Sequence, residues 1–259
     1  MGGTRGRGLL VCALLLVLTA GCATDRLWAP TREEVLQRIL PSAVQVVLEQ
    51  DGRRFRTGSG VVVATRPAGR TTECLVLTSG HTLSGLSDGQ DVYVLLGRHQ
   101  GKGVRVRATV LACRDGDDLD LGLLRIEADR CVVARLGQPP ALGDAVWVVA
   151  FPWGRSMTLA AGVISQVNPD GGEDADVAAR LMVDASVSYG ASGGGVYEAA
   201  SGRLIGLVEG YRTARVSFKG DPTARYIDVP VPGETYVTPL ADIHRFLGVV
   251  GFQEVLTRR

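Results

Sequence analysis

The sequence predicts an all-β protein made of two six-stranded antiparallel barrels, followed by a helix near the carboxyl end. Three observations support this fold class. Short valine-rich runs recur along the chain, turns rich in glycine and aspartate separate them, and helix-length apolar patterns are few. The 259 residues, 46% of them hydrophobic, are enough for one or two domains with a substantial buried core.

The first 21 residues are typical of a lipoprotein-type signal peptide. A basic start precedes an apolar run at residues 9–18, which is shorter than the about 20 residues that a membrane-spanning helix needs. Small residues then precede Cys22, an arrangement that resembles a bacterial lipobox, and residues 22–30 would form a tether. We expect a lipid-anchored protein of the bacterial cell envelope, at the outer membrane or periplasmic face rather than the inner membrane. An ordinary secretory signal with an incidental cysteine is the alternative.

The mature domain, residues 31–259, is expected to open with a short helix. Thr31 and Glu34 have the spacing of a capping box, and apolar residues follow at helical intervals before Pro41. The first barrel, about residues 31–136, takes its strands from the apolar runs that follow. We predict them at residues 43–48, 60–64, 74–78, 91–96, 104–112 and 121–127.

A proline-rich stretch ending at Pro140 separates this barrel from a second one, at about residues 140–240. Long polar segments at residues 168–180 and 211–233 are expected to be surface loops, with activation or substrate loops as the alternative. Thr238 and Pro239 open the late helix, whose apolar residues fall on one face. Strands of the second barrel are predicted at residues 145–150, 157–167, 180–185, 194–197 and 204–209.

Three cysteines remain in the folded part, so at most one disulfide can form there. Cys74 lies in an apolar run and is expected to be a small buried residue. Cys113 with Cys131 is the pairing to test first, although the sequence does not establish it. None of the three lies in a glycine-rich turn, so a cysteine nucleophile is not expected.

Three short segments place a histidine, an aspartate and a serine in contexts that suit acyl transfer. His81 ends an apolar run, Asp120 directly precedes another, and Ser192 lies among the glycines of residues 190–195. A serine hydroxyl becomes a nucleophile when an imidazole takes its proton, and the imidazole needs a carboxylate to fix its tautomer. We therefore predict a catalytic triad, with Asp118 as the alternative to Asp120.

The glycines around Ser192 permit a tight turn whose N–H groups converge on one point. The N–H groups of Gly190 and Ser192 are the candidates for an oxyanion hole. A flexible loop or a phosphate-binding turn are the alternatives, but neither a Gly-Lys-Ser/Thr sequence nor a helix pattern follows. His99 and His244 are expected to be structural or solvated. The predicted chemistry needs no metal and no organic cofactor.

Together these segments resemble the trypsin-like (chymotrypsin-fold) serine peptidases, and more narrowly their bacterial HtrA/DegP-like branch. The match covers about residues 41–248 and implies barrels of the chymotrypsin type, with the triad in the cleft between them. Ala191 and Gly195 replace the usual asparagine and proline, and only about a dozen residues follow the late helix, so we expect no PDZ domain. The residues that carry the resemblance are GSGVV at 58–62, LTSGH at 77–81, DLGLLRI at 120–126, FPWG at 151–154 and GASGG at 190–194.

The resemblance also implies where a substrate would bind. Ser186, six residues before Ser192, would lie near the base of the primary pocket. Glu209, Gly210 and Tyr211 would line its wall. Because Ser186 supplies no carboxylate, small or medium apolar side chains are expected in this pocket rather than arginine or lysine.

Charge and composition narrow the possible partners. The chain has 28 basic and 27 acidic residues without a basic cluster, so a nucleic-acid partner is not expected. The main hypothesis is a serine endopeptidase acting on envelope or misfolded polypeptides. A catalytically silent trypsin-like lipoprotein, serving as a binding or scaffold module, is the alternative, and an esterase using the same triad is a third. The sequence does not indicate an oligomeric state.

Overall fold

A computed structural model describes residues 29–116, 118–167, 181–217 and 226–253 of the chain. The predicted signal peptide, Cys22, most of the tether and the loop predicted at residues 168–180 lie outside the described residues. Within the described ranges, no helix combines the length and the apolar character needed to cross a membrane.

Helix α1 (Arg32–Ile39) opens the domain, as predicted. Its capping box is present, because the Glu34 N–H donates to Thr31 Oγ1 and the Thr31 N–H donates to Glu34 Oε2. Pro41 lies in the 3-10 turn Leu40–Ser42 that follows, where its fixed φ ends the helix and directs the chain into the first strand.

The first barrel closes six antiparallel strands in the order β1-β2-β3-β6-β5-β4. A one-turn helix, α2 (Gly80–Leu83), follows the third strand at the rim of the barrel. The interior is filled by valine and leucine side chains from alternate positions, such as Val44, Val46 and Leu48. The strands are β1 (Ala43–Gln50), β2 (Arg53–Ala68), β3 (Thr71–Thr78), β4 (Gln90–Leu96), β5 (Val104–Gly116) and β6 (Leu119–Ala128).

The second barrel also closes six antiparallel strands, in the order β10-β11-β12-β9-β8-β7. Helix α3 (Leu240–Val249) follows it, with its apolar face buried as predicted. The predicted pair of six-stranded barrels and the terminal helix are thereby confirmed. The strands are β7 (Ala145–Ala150), β8 (Thr158–Val167), β9 (Leu181–Val183), β10 (Gly195–Glu198), β11 (Leu204–Ser217) and β12 (Tyr226–Pro239).

The prediction of a surface loop is wrong for residues 211–217 and 226–233, which are strands; residues 218–225 lie outside the described residues. Strand β11 continues to Ser217, and β12 begins at Tyr226 and pairs with it. Two prolines, Pro230 and Pro232, hid this strand in the sequence, because proline cannot donate a ladder hydrogen bond. Here both lie on the exposed part of a two-stranded ribbon, where a missing donor is tolerated.

A third apolar cluster lies between the barrels and takes buried residues from both barrels, from α1 and from α3. Helix α1 lies against the second barrel, where the Arg38 guanidinium donates to Ser201 O at 3.2 Å. Helix α3 reaches the first barrel, where Arg245 donates to Asp118 O at 2.7 Å. Each terminal helix therefore makes a hydrogen bond to the barrel formed by the other end of the chain.

The predicted pairing of Cys113 with Cys131 is wrong. Cys131 forms a disulfide with Cys74, with their Cα atoms 6.4 Å apart. Strands β3 and β6 are neighbours and Thr72 pairs with Ala128, so the chain leaving β6 returns beside Cys74. Cys113 is a free thiol on β5, with its Sγ 3.4 Å from Gly80 O.

Candidate active site

His81 and Asp120 meet at one end of the first barrel. His81 lies in α2, directly after β3, and Asp120 lies near the start of the neighbouring strand β6. The carboxylate of Asp120 contacts the histidine twice, because Oδ1 accepts the His81 backbone N–H and Oδ2 lies 2.7 Å from Nδ1. Asp118, the alternative, uses its carbonyl oxygen to bind Arg245 instead.

This contact determines the state of the imidazole. An ionised carboxylate only accepts hydrogen bonds, so Nδ1 carries a proton toward Asp120 and Nε2 remains free to accept one. The His81 side chain is 44% exposed and that of Asp120 only 14%, so the base opens to solvent while its partner is covered. The hydrogen bond that His81 donates to Asp120 raises the pKa of His81 against the opposing effect of burial, with smaller contributions from the charges of Asp120, Asp115 and Glu209.

Ser192 lies in a tight turn before β10 that is held from two directions. Its carbonyl oxygen accepts the Ser59 N–H at 2.8 Å, and the next N–H, that of Gly193, donates to Val208 O at 2.7 Å. Gly193 has a φ of +82°, and a Cβ there would overlap the Ser59 carbonyl oxygen and lie 2.9 Å from Ser79 N. Only glycine fits, and this close approach brings the turn beside the segment that carries His81.

Two close approaches to Gly58 show that the segments carrying Ser192 and His81 lie side by side. A Cβ at Gly58 would lie 2.7 Å from Thr82 Cγ2 and 3.4 Å from Ser192 O, so both segments approach the same glycine. Among the described residues, no hydrogen bond joins the Ser192 hydroxyl to the imidazole. Such bonds are often long in unliganded sites and tighten when substrate binds.

The turn leaves two N–H groups without a protein acceptor. The N–H groups of Ala191, Gly193 and Gly194 donate to backbone carbonyls, whereas those of Gly190 and Ser192 have no acceptor within the part of the chain described. Tyr189 O accepts the Trp153 N–H at 2.7 Å, and the trans peptide therefore turns the Gly190 N–H the opposite way. These two donors are the ones that the sequence predicts for an oxyanion hole.

Comparison with known proteins shows the family to which the chain belongs. Residues 58–207, more than half of the chain, match the family model of the trypsin-like peptidase domain. The chain belongs to the trypsin-like peptidase family.

Curated relatives lie in the DegP-like branch. A probable periplasmic serine endoprotease DegP-like of Marinomonas sp. (strain MWYL1) is 29% identical over 175 residues, 66% of this chain and 33% of that protein. One from Hahella chejuensis (strain KCTC 2396) is 27% identical over 203 residues, 77% of this chain and 39% of that protein. This chain therefore spans between a third and two fifths of the length of these relatives.

A solved structure confirms the chymotrypsin-type fold. The crystal structure of the serine endoprotease from Yersinia pestis aligns with a TM-score of 0.60 at 21% identity. The alignment covers 85% of this chain and 66% of that one.

One residue of the site was missed by the sequence analysis. Ser59 is fully buried, and its Oγ donates to Gly190 O at 2.8 Å while accepting the Phe151 N–H at 2.8 Å. The hydroxyl thus ties the serine turn of this trypsin-like domain to β2 and to the chain leaving β7. A serine between two glycines at the start of a long apolar run was the available signal, since a buried hydroxyl needs partners.

The predicted pocket residues lie on neighbouring segments of the second barrel. Glu209 occupies a bulge in β11, and Tyr211 pairs with Thr235 of β12. The Thr235 hydroxyl donates to Ala185 O at 2.7 Å, which brings the exposed Ser186 next to this strand pair. Gly210 lies between the two wall residues on β11 and is half-buried.

The described residues offer no candidate metal site. They contain no group of three or more histidine, cysteine, aspartate or glutamate side chains that could hold a metal ion. Cys22, the predicted site of lipid attachment, lies outside them.

Proposed function

We propose that this protein is a serine endopeptidase that hydrolyses peptide bonds through an acyl-enzyme, using Ser192, His81 and Asp120. The observation that carries the proposal is the pair of unbonded N–H groups on Gly190 and Ser192, next to a histidine whose Nδ1 already contacts a carboxylate. Donors aimed at one point are what a developing oxyanion requires, and losing one typically costs about 3 kcal/mol of transition-state stabilisation.

The first half of the reaction forms the ester. Ser192 Oγ attacks the carbonyl carbon of the scissile bond as its proton passes to His81 Nε2. The negative charge on the carbonyl oxygen is stabilised by the N–H groups of Gly190 and Ser192. The C–N bond then breaks, His81 gives its proton to the departing amine, and Asp120 stabilises the imidazolium throughout.

The second half consumes water. His81 takes a proton from a water molecule, whose oxygen attacks the ester carbon of the acyl-enzyme. The tetrahedral intermediate uses the same two donors, and its collapse returns the proton to Ser192 Oγ and releases the new carboxylate. Each turnover breaks one peptide bond and consumes one water molecule, without a metal or organic cofactor.

The substrate pocket proposed for the acyl side is bounded by Ser186, Glu209, Gly210 and Tyr211. Ser186 brings a neutral hydroxyl, and Tyr211 narrows the wall, so small or medium apolar side chains fit the pocket best. Their placement on the adjoining segments of β11, β12 and the chain after β9 supports this assignment.

We also propose that the chain works in the bacterial cell envelope on envelope or misfolded polypeptides. In this proposal residues 1–21 are a signal peptide, residues 22–30 a tether attached to lipid through Cys22, and residues 31–259 the peptidase domain. The sequence around Cys22 and the periplasmic location in the printed names of the DegP-like relatives support it.

Labelling with a fluorophosphonate probe tests the activity. Purified protein is expected to be labelled, and Ser192→Ala is expected to lose the label completely, because the probe bonds to an activated serine oxygen. Ser188→Ala is the matched control, since Ser188 lies in the same turn and bonds Ala191 through its backbone carbonyl alone. A folded wild type that is neither labelled nor able to cleave casein would contradict the proposal and favour a silent binding module.

A further inference from the structure

Two large aromatic side chains are exposed beside the serine turn. Trp153 is 61% exposed and Tyr189 is 48% exposed. Their ring centroids lie 5.4 Å apart with an angle of 40° between the planes. Contiguous exposed aromatic surface is uncommon on soluble domains and marks binding surfaces. We call this pair the aromatic platform.

The backbone of the platform is strained. Trp153 has a φ of +57° and a ψ of +17°, in the left-handed region that bulky residues rarely adopt. Such strain persists only where the surrounding structure enforces it, and it concentrates at functional sites. The Trp153 N–H donates to Tyr189 O at 2.7 Å, which joins the two residues of the platform directly.

Several contacts on either side of Trp153 enforce that conformation. Phe151 is fully buried and its N–H donates to Ser59 Oγ. Gly154 O accepts hydrogen bonds from Gln45 Nε2 at 2.9 Å and from the Arg54 guanidinium at 3.1 Å. The indole is therefore held in the exposed position by a fixed backbone, which lowers the entropy lost when a ligand binds.

The position of the platform relative to the proposed pocket follows from one peptide unit. In the Ser192–Gly193 peptide, the carbonyl points to Ser59 and the N–H points to Val208. The described chain contains no cis peptide bond, so these two partners lie on opposite sides of the Ser192–Gly193 peptide.

The pocket wall continues from Val208 into Glu209 on β11, and so lies on one of these sides. The platform lies on the side of Ser59, because Trp153 comes two residues after Phe151, whose N–H donates to Ser59 Oγ. With the acyl side chain in the proposed pocket, the leaving-group portion of a substrate would extend toward Trp153 and Tyr189.

We propose that Trp153 and Tyr189 form a binding site for an aromatic or large aliphatic side chain on the leaving-group side of the cleaved bond. This inference rests on the proposed peptidase function and names its substrate class: polypeptides with an apolar residue exposed just after the cleavage point, as in unfolded chains. Burial of the substrate side chain against the two rings supplies the attraction.

Matched peptide substrates test the proposal. Two internally quenched peptides share the acyl side and carry either phenylalanine or serine at both of the first two leaving-group positions. For the wild type we expect a kcat/KM about tenfold higher for the phenylalanine peptide. Trp153→Asn removes the ring while retaining a residue that tolerates positive φ, and Tyr189→Ala removes the second ring. Both variants are expected to lose most of this preference.

The control and a second readout separate this inference from the proposed activity. Leu142→Ala removes an apolar side chain that is 69% exposed in a turn before β7, and it is expected to keep the wild-type preference. In Ser192→Ala protein, the phenylalanine peptide is expected to bind about tenfold more tightly than the serine peptide, and Trp153→Asn to abolish that difference.

The outcomes are distinct. Equal kcat/KM for both peptides in the wild type, or an undiminished preference in both platform variants, would overturn the inference while leaving the peptidase function intact. If the wild type cleaves neither peptide, the proposed function fails, and the binding difference in the Ser192→Ala protein alone decides whether the platform recognises apolar side chains.

Discussion

The two halves of the candidate active site are held in different ways. His81, in the helical turn after β3, and Asp120, on the neighbouring strand β6, both belong to the first barrel, and they contact each other through two hydrogen bonds of 2.7 Å. The turn that carries Ser192 belongs to the second barrel, yet Ser59 of the first barrel binds its carbonyl groups through both its N–H and its hydroxyl.

The acid–base pair and the proposed oxyanion donors therefore depend on different parts of the fold. The acid–base pair lies within the first barrel, where β3 pairs with β6. The arrangement of the proposed oxyanion donors depends on contact between the barrels, and thus on the apolar cluster that lies between them. Changes to the first half should alter proton transfer, whereas changes to Ser59 should alter transition-state stabilisation.

The largest effect is expected from Asp120→Asn. An asparagine amide can donate to Nδ1 and so favour the wrong imidazole tautomer, which in a triad lowers kcat by about 10⁴-fold. The rate of peptide hydrolysis measures the loss. Asp115→Asn is the control, because Asp115 acts on His81 only through its charge and should change the rate little. Equal losses in the two variants would contradict the direct role of Asp120.

The next largest effect concerns the stability of the first barrel. The Cys74–Cys131 disulfide closes a loop with a sequence separation of 57 residues, and losing it should lower the free energy of unfolding by about 4 kcal/mol. Urea denaturation of the Cys74→Ala/Cys131→Ala protein measures this. Cys113→Ala removes the free thiol and should have a smaller effect. The reverse ranking would show that the bond joins other cysteines.

Ser59→Ala tests the contact between the barrels. Loss of the hydroxyl leaves the buried Gly190 carbonyl and Phe151 N–H unpaired, which costs about 1–3 kcal/mol and frees the oxyanion donors to move. As a positioning residue, Ser59 should affect kcat, with a fall of about 10- to 100-fold and little change in KM. Steady-state kinetics of peptide hydrolysis measures the two constants.

Ser42→Ala is the matched control for that variant. Ser42 is also fully buried, and its hydroxyl lies between Ile39 O at 2.7 Å and Tyr197 Oη at 3.1 Å, away from the serine turn. A similar loss of stability without a fall in kcat is expected. If both variants lose kcat equally, Ser59 acts through stability alone.

The smallest effect is a shift in pH dependence. An ordinary histidine has a pKa of about 6.5. Because the hydrogen bond to Asp120 raises the pKa of His81, the labelling rate should fall on acidification at a pH above that value. The stability from this pair is fully present below about pH 6.5 and is lost as the pH rises through the raised value. Asp120→Asn should move this fall to lower pH; a fall that stays in place would contradict the assignment.

The sequence was informative where local pattern determines structure. The capping box of α1, the apolar face of α3 and the valine-rich strands follow from spacing that each segment contains by itself. The histidine and aspartate could also be selected, because each lies at the boundary between an apolar run and a polar turn. The serine could be selected because glycines surround it.

The rest depends on contacts that no short segment contains. The disulfide partner of Cys131 was missed because it depends on which strand lies beside β6. Strand β12 was missed because its exposed ribbon tolerates prolines. The role of Ser59 and the exposure of Trp153 arise only once the chain after β7 packs against β2, across about a hundred residues of sequence.

The terminal helices connect the two barrels. Helix α1 enters from the amino end but lies on the second barrel, and α3 leaves from the second barrel but bonds the turn beside Asp120. The two barrels are therefore joined by contacts from both terminal helices. Neither barrel could therefore be excised without exposing apolar side chains that are buried between the two.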